Sequence, residues 1–385
     1  MAESFVYLDH AATTPLRPEA LEAMLPYLTA SWANPSSPYE AAYQARTALE
    51  AAREAVAACL GASPPEIVFT GGGSEADNLA IKGAALAASG HGRHIVTSSI
   101  EHHAVLHACQ YLERRLGFEV TYLPVDRYGL ISLASVRAAL RNDTVVVSLM
   151  QANNEVGTIE PIAEIAAVVR NHGALVHTDA VQVAGALPIG VYELGVDLLS
   201  ISGHKFGGPK GTGALYVRRG TPLDALVHGG GQELGLRAGT ENVAGAVGFA
   251  TALELAVAQL STTSAYCRTL RDRLIAGVLG QIPGSILTGD PERRLPNNAS
   301  FCFPEVEGES VLIELDAAGI CASAGSACSA GSTEPSHVLV AMGIEPRYLR
   351  GALRLTVGPE NTPDEIELVV ARLKDIVGSL RTLAA

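Results

Sequence analysis

Lys205 closes the segment Asp197-Leu198-Leu199-Ser200-Ile201-Ser202-Gly203-His204-Lys205, an apolar strand that runs into a polar turn. Upstream, a second apolar run, Ala174-Leu175-Val176-His177-Thr178, ends in Asp179. An amine and a carboxylate at two neighbouring strand ends suit pyridoxal phosphate (PLP). The lysine holds the aldehyde as a Schiff base, and the aspartate keeps the pyridine nitrogen protonated so that the ring accepts electrons.

Other residues with chemical potential also follow short apolar runs. Thr70-Gly71-Gly72-Gly73-Ser74-Glu75-Ala76 follows Ile67-Val68-Phe69 and opens a helix. Glycines there let an anion approach backbone N–H groups. Gly71, Gly73 and Ala76 also fit the dinucleotide pattern G-x-G-x-x-A, but Glu101 comes late for a ribose partner. Alone the segment reads as a glycine turn; beside Asp179 and Lys205 it reads as a seat for the PLP phosphate.

His102, in Glu101-His102-His103, could stack on a cofactor ring and move protons. His103 and His107 are spaced for one helix face, yet no third zinc ligand of suitable spacing is evident, so no metal is expected. Asn154 could donate to the ring's phenolic oxygen, although Asn153-Asn154 alone reads as a turn. Gln182 could reach the same oxygen. Arg354, inside Ala352-Leu353-Arg354-Leu355-Thr356, is either an exposed strand position or a bidentate clamp for a substrate carboxylate.

Cys328 stands apart from the other five cysteines. It sits in the Ser/Gly/Ala run 322–332, which predicts an exposed, mobile loop. A thiol on such a tether suits a nucleophile that must enter a pocket and leave it. Cys59, Cys109, Cys267, Cys302 and Cys321 lie in apparent helices or strands and read as small core residues. The six form no CxxC pair, which argues against a disulfide framework and for a reducing, cytoplasmic setting.

The elements that must position these residues are legible in outline. The chain has 385 residues, 48% hydrophobic and 17% charged, enough for a large core. A net charge of -13 argues against direct nucleic-acid or anionic-membrane binding. No basic start with an apolar core marks a secretion signal. The Ala/Val-rich run 243–260 carries Glu254 and reads as a buried or interface helix, not a membrane span. From about 20 to 260, helical stretches (38–60, 75–88, 104–116, 162–171) alternate with short Val/Ile-rich runs. That alternation predicts an α/β fold: a mostly parallel sheet flanked by helices, with ligands beyond the strands' carboxyl ends. After 261 the pattern changes to a long helix and shorter strands, the mark of a smaller α+β domain. The expected division is a large domain over 15–260, and a small one from 1–14 and 261–385 that carries the cysteine loop at about 322–335.

Together these segments resemble the cysteine desulfurases of the NifS/IscS type, in the class V aminotransferase group of fold-type I PLP enzymes. The resemblance runs from Tyr7-Leu8-Asp9-His10-Ala11-Ala12-Thr13-Thr14-Pro15 and Asn34-Pro35-Ser36-Ser37 through 70–78, Glu101-His102, Asn153-Asn154-Glu155 and 177–182. It continues with Ser202-Gly203-His204-Lys205, Arg237-Ala238-Gly239-Thr240-Glu241-Asn242, Gly325-Ser326-Ala327-Cys328-Ser329 and Leu353-Arg354. It implies that Lys205, Asp179, His102, Asn154 and Gln182 hold the PLP ring. Gly73, Ser74, Ser202 and His204 would hold the phosphate, with Thr240 from the partner subunit of a homodimer. Arg354, with Asn34 near it, would bind the substrate carboxylate. The implied reaction converts L-cysteine to L-alanine and leaves a persulfide on Cys328, with Lys205 as base and His102 handling the thiol proton. An acceptor protein would take the sulfur for iron–sulfur assembly, thiolation or DNA phosphorothioation. The long loop before Glu334-Pro335-Ser336 resembles the IscS-like group. Leu234 departs from the family's Gly-Gly-Gly-(Gln/His)-Glu-Arg-Gly. The alternatives are a selenocysteine lyase or other class V transaminase, and a non-catalytic sulfur-assembly scaffold.

Overall fold

The computed structural model describes residues 5–324 and 334–384. Cys328 and most of its expected loop lie outside the described residues.

A seven-stranded sheet forms the centre. Its strands are β2 (Ile67–Thr70), β3 (His94–Ser98), β4 (Glu119–Leu123), β5 (Thr144–Ser148), β6 (Leu175–Asp179), β7 (Leu198–Ser202) and β8 (Gly213–Val217), in the spatial order β2-β8-β7-β6-β5-β3-β4. Four of its six pairings are parallel; β8 runs antiparallel to both β2 and β7. The sheet is therefore mostly parallel, as the alternating pattern predicts.

The strands are short and apolar because both faces are covered. Successive residues enter opposite layers. Val96, Leu199 and Tyr216 pack with the helices Glu40–Leu60, Ile162–Arg170 and Val243–Ala258. Ile95, Leu198 and Leu215 pack with the helix His103–Leu116 and the helical run 73–87. That run starts at Gly73, two residues before the helix read from the pattern. Gly72 precedes it at φ 147°, a backbone that a side chain would strain.

A second core joins the chain's two ends. Leu8, beyond β1 (Val6–Tyr7), packs with the helices Leu260–Gln281, Gly308–Ala317 and Pro363–Ala384. The same core takes in β10 (Asn298–Cys302) and β12 (Ala352–Thr356), which form an antiparallel sheet with β9 (Ile286–Leu287). β1 pairs with β11 (Ile320–Cys321). Among the described residues no single helix is long and apolar enough to cross a membrane. The Ala/Val-rich helix ends at Ala258, and the chain bends by 71° into the next one.

Connections on the main sheet leave β3 and β5 in opposite directions: β3 leads to β4 on one side, β5 to β6 on the other. Such a reversal opens a crevice beyond the strands' carboxyl ends, the usual ligand position in open α/β sheets.

Candidate active site

Lys205 follows β7 on a single tight 3-10 turn, Gly203–Lys205. Only glycine fits at 203, because a Cβ would meet Thr212 Oγ1 at 2.6 Å and the Phe249 ring at 2.8 Å. The turn carries the amine back to the N-terminal strap. There Lys205 Nζ donates to the carbonyls of Ala11 (2.6 Å) and Ala12 (2.8 Å). The strap is pinned by Thr14 N–H donating to His204 O at 2.8 Å, and by Tyr7 Oη–H donating to Thr13 O at 2.9 Å.

Asp179 ends β6, the strand beside β7, and its Oδ1 accepts from Val181 N at 2.9 Å. Burial pushes its carboxyl up, while the Val181 N–H and Lys205 pull it back toward the charged form.

A cavity of 580 Å³ lies over these strand ends. Lys205, Asp179, His102, Asn154, Gln182, Gly73, Ser74, Ser202, His204 and Arg354 all line it. Ten of the residues expected from sequence thus meet in one place. The glycine turn closes one end: a Cβ on Gly73 would meet Val181 Cγ2 at 2.8 Å and Ser202 Cβ at 3.2 Å.

His102 caps the helix His103–Leu116, and Ala104 N donates to its Nδ1 at 3.2 Å. That bond leaves the lone pair at Nδ1 and the proton of the neutral ring at Nε2. Burial, then Lys205 and the neighbouring histidines, push His102 down to about 4. His102 is therefore neutral near pH 7. His103, His107 and His337 gather beside it, with ring centroids 5.2 and 4.8 Å from His103. Among the described residues no three His, Cys, Asp or Glu side chains are arranged to hold a metal ion.

The two neighbouring asparagines divide their work. Asn153 is buried; its Nδ2 donates to Ile100 O and its Oδ1 accepts from Glu155 N and Val156 N. Asn154 is the one that faces the cavity. Gln182 Nε2 donates to Ala11 O at 3.0 Å, so it secures the strap as well as lining the pocket.

Arg354 is 2% exposed, which removes the reading of an exposed strand face. Its Nη1 donates to Asn154 O at 2.9 Å and its Nη2 to Asp9 Oδ1 at 2.7 Å. Asp9 is a partner that sequence reasoning did not assign.

Two expected residues do not reach this chain's cavity. Asn34 is exposed, and its Oδ1 turns back on its own loop to accept from Ser36 N at 2.9 Å. Thr240 is also exposed, on the glycine-rich segment, and neither lines the pocket. The two loops meet each other instead, where Ser36 Oγ donates to Glu241 Oε1 at 3.4 Å. Nearby, Glu233 and Leu234 both take positive φ, 44° and 60°. Glu233 is held there by a two-pronged bond from Arg53 (2.7 and 2.9 Å) and by Phe69 N (2.8 Å). Leu234 points outward, 57% exposed.

The residues fit pyridoxal phosphate. The amine and buried carboxylate sit on adjoining strands, the glycine turn leaves no room for a side chain, and the cavity matches a small cofactor plus substrate. Fold and site together define a PLP-dependent enzyme. The Aminotransferase class-V family matches residues 6–369, and this chain belongs to it. The chain is 52% identical to a cysteine desulfurase IscS of Methanosarcina thermophila, over 98% of this chain and 93% of that protein. Among solved structures, a NifS-like protein superposes with a TM-score of 0.92 at 39% identity, covering 98% of this chain and 100% of that one. A structure of SspA in complex with cysteine superposes at 0.81 with 40% identity, covering 93% and 100%.

Proposed function

We propose that this protein is a PLP-dependent cysteine desulfurase that converts L-cysteine to L-alanine and receives the sulfur as a persulfide on Cys328. The observation that carries the reading is the convergence of Lys205, Asp179 and Arg354 on one cavity. That set would hold a ring-bearing cofactor by Lys205 and Asp179 and an amino-acid carboxylate by Arg354. The full-length likeness to an IscS cysteine desulfurase gives the substrate.

When bound, pyridoxal phosphate supplies an electron sink that weakens bonds at the substrate's α and β carbons. Asp179 would hold the proton on the ring nitrogen. Lys205 Nζ, next to the Ala11 and Ala12 carbonyls, moves a proton at the substrate α-carbon. Arg354 orients the carboxylate. His102, neutral, is able to take the substrate thiol proton. The Cys328 thiolate attacks the substrate sulfur: the S–S bond forms as the Cβ–S bond breaks, and the electron pair left on Cβ takes a proton to give alanine. Cysteine plus enzyme thiol thus becomes alanine plus enzyme persulfide.

The protein works as a homodimer in this reading, with Thr240 and Asn34 serving the partner's pocket. Their exposure, and the lack of either among the residues lining the cavity of their own chain, support this. A reducing, cytoplasmic setting and a sulfur-acceptor protein, for iron–sulfur assembly or a thiolation pathway, complete it.

Purified protein loaded with pyridoxal phosphate should turn L-cysteine into alanine with no keto-acid acceptor present. Alanine that appears only when a keto acid is added would make it a transaminase. Turnover of selenocysteine without turnover of cysteine would make it a selenocysteine lyase.

A further inference from the structure

At and behind the strand ends that line the cavity lie more carboxyl groups than one pyridine nitrogen needs. Asp179 is one. Asp77 is a second: it is 1% exposed, lies on the helical run after the glycine turn and lines the same cavity. Its Oδ1 has no hydrogen-bond partner and lies 3.7 Å from His177 Nε2. Glu101 is a third, fully buried just before His102. Its Oε1 accepts from Ser98 Oγ (2.5 Å) and Met150 N (3.1 Å), while Oε2 has no partner. Three carboxyls from three segments therefore converge, and two of them present unsatisfied buried oxygens.

Their surroundings decide where charge can sit. His177, two residues before Asp179 on the same strand and 3.7 Å from Asp77, brings no positive charge. Its ring nitrogens face Ser148 Oγ (2.8 Å) and Ser200 Oγ (3.0 Å), and burial pushes it down to about 3. Glu160, beyond β5, and Cys109, on the helix after His102, add no cation. Lys205 is the cation that acts on the group, and it acts on Asp179. Asp179 also has the Val181 N–H. Burial, with Asp179 and Glu101 adding repulsion, pushes Asp77 well up against the pull of the Ser200 hydroxyl. Burial pushes Glu101 up to about 8, against the pull of its two hydrogen bonds. Neighbouring carboxylates in a buried site cannot all ionise.

We propose that Asp77 and Glu101, each buried with an oxygen that has no hydrogen-bond partner, are positioning residues for Asp179: they leave the negative charge beside the ring nitrogen on Asp179 alone. This rests on the pyridoxal phosphate reading for its purpose, while the infrared bands that test it belong to the protein alone. A single charge on Asp179 pairs with a single ring proton. A second one behind it would tighten that proton and blunt the ring's response to substrate.

Infrared difference spectroscopy on the holoenzyme tests this, because a protonated carboxyl has a C=O band that a carboxylate lacks. Protein labelled with carboxyl-13C aspartate should lose one such band in Asp77→Asn. Protein labelled with carboxyl-13C glutamate should lose one in Glu101→Gln. In labelled wild-type protein, which needs no variant to fold, the glutamate band should fade as pH rises through about 8. The visible absorbance of the bound cofactor should shift over the same range, and Glu101→Gln should lack that step. If the wild-type protein shows no protonated-carboxyl band sensitive to either substitution near neutral pH, the proposal is wrong. An alkaline absorbance step unchanged in Glu101→Gln would also overturn it. Failure of the cofactor reading would look different: no visible absorbance at all, with the infrared bands still present in the protein alone.

Discussion

Arg354→Lys separates recognition of the substrate carboxylate from everything else the site does. Arg354 is buried, with one guanidinium nitrogen on Asn154 O and another on Asp9 Oδ1. A lysine keeps the charge but offers one nitrogen, which cannot hold Asp9 and also meet a carboxylate with two parallel bonds. Losing one charge-assisted hydrogen bond costs about 1.5–3 kcal/mol. At 1.4 kcal/mol per tenfold, kcat/KM for cysteine should fall by roughly 10- to 100-fold. The carboxylate is bound alike before and during reaction, so the loss should appear in KM with kcat nearly unchanged. Initial rates of alanine formation across a cysteine series measure this. Cysteamine, which lacks the carboxylate, supplies the control: as a competitor it should bind the variant and wild type equally. A wild-type KM for cysteine in Arg354→Lys, or an equal loss for cysteamine, would refute the clamp.

Lys205→Ala should bind no cofactor that borohydride can fix to the protein; a reducible link that persists would remove Lys205 from its role. Cys328→Ser should still bind cysteine, seen as a change in the cofactor's visible spectrum, but release no sulfide. Mass spectrometry after a cysteine pulse should find the added sulfur on the Cys328 peptide, and sulfur on Cys321 alone would overturn the nucleophile assignment. Activity should fall on dilution to monomers, and a fully active monomer by light scattering would sink the shared-site reading of Thr240 and Asn34. Glu101 titrates near 8 in the fold against an ordinary 4.5, so its contribution to stability is present below 4.5 and is lost as pH rises toward 8. The loss is about 1.4 kcal/mol per pH unit, so urea melts between about pH 5.5 and about pH 7.5 should show a flatter pH slope for Glu101→Gln.

How much of this site was legible in the chain follows from how each residue is placed. Lys205 and Asp179 were legible because a strand, its turn and its last residue are neighbours in sequence, and consecutive strands of this kind lie side by side. The antiparallel β8 carried a signal too: only residues 203–212 separate it from β7, too few for the crossover that a parallel partner needs. Asp77 sits one helical turn beyond Gly73 and so shares its face, yet nothing local says that a carboxyl there meets Asp179 from another strand. The division between Asn153 and Asn154 depends on which one finds Ile100 O, a contact 53 residues away. Asp9 is the extreme case, paired with Arg354 across 345 residues. Its pairing exists because β12 packs beside the N-terminal strap, where Thr356 N donates to Leu8 O at 2.7 Å. Periodicity along the chain encodes which face a residue occupies. It cannot encode which distant strand closes over that face, and the pairing of Arg354 with Asp9 depends on that closure.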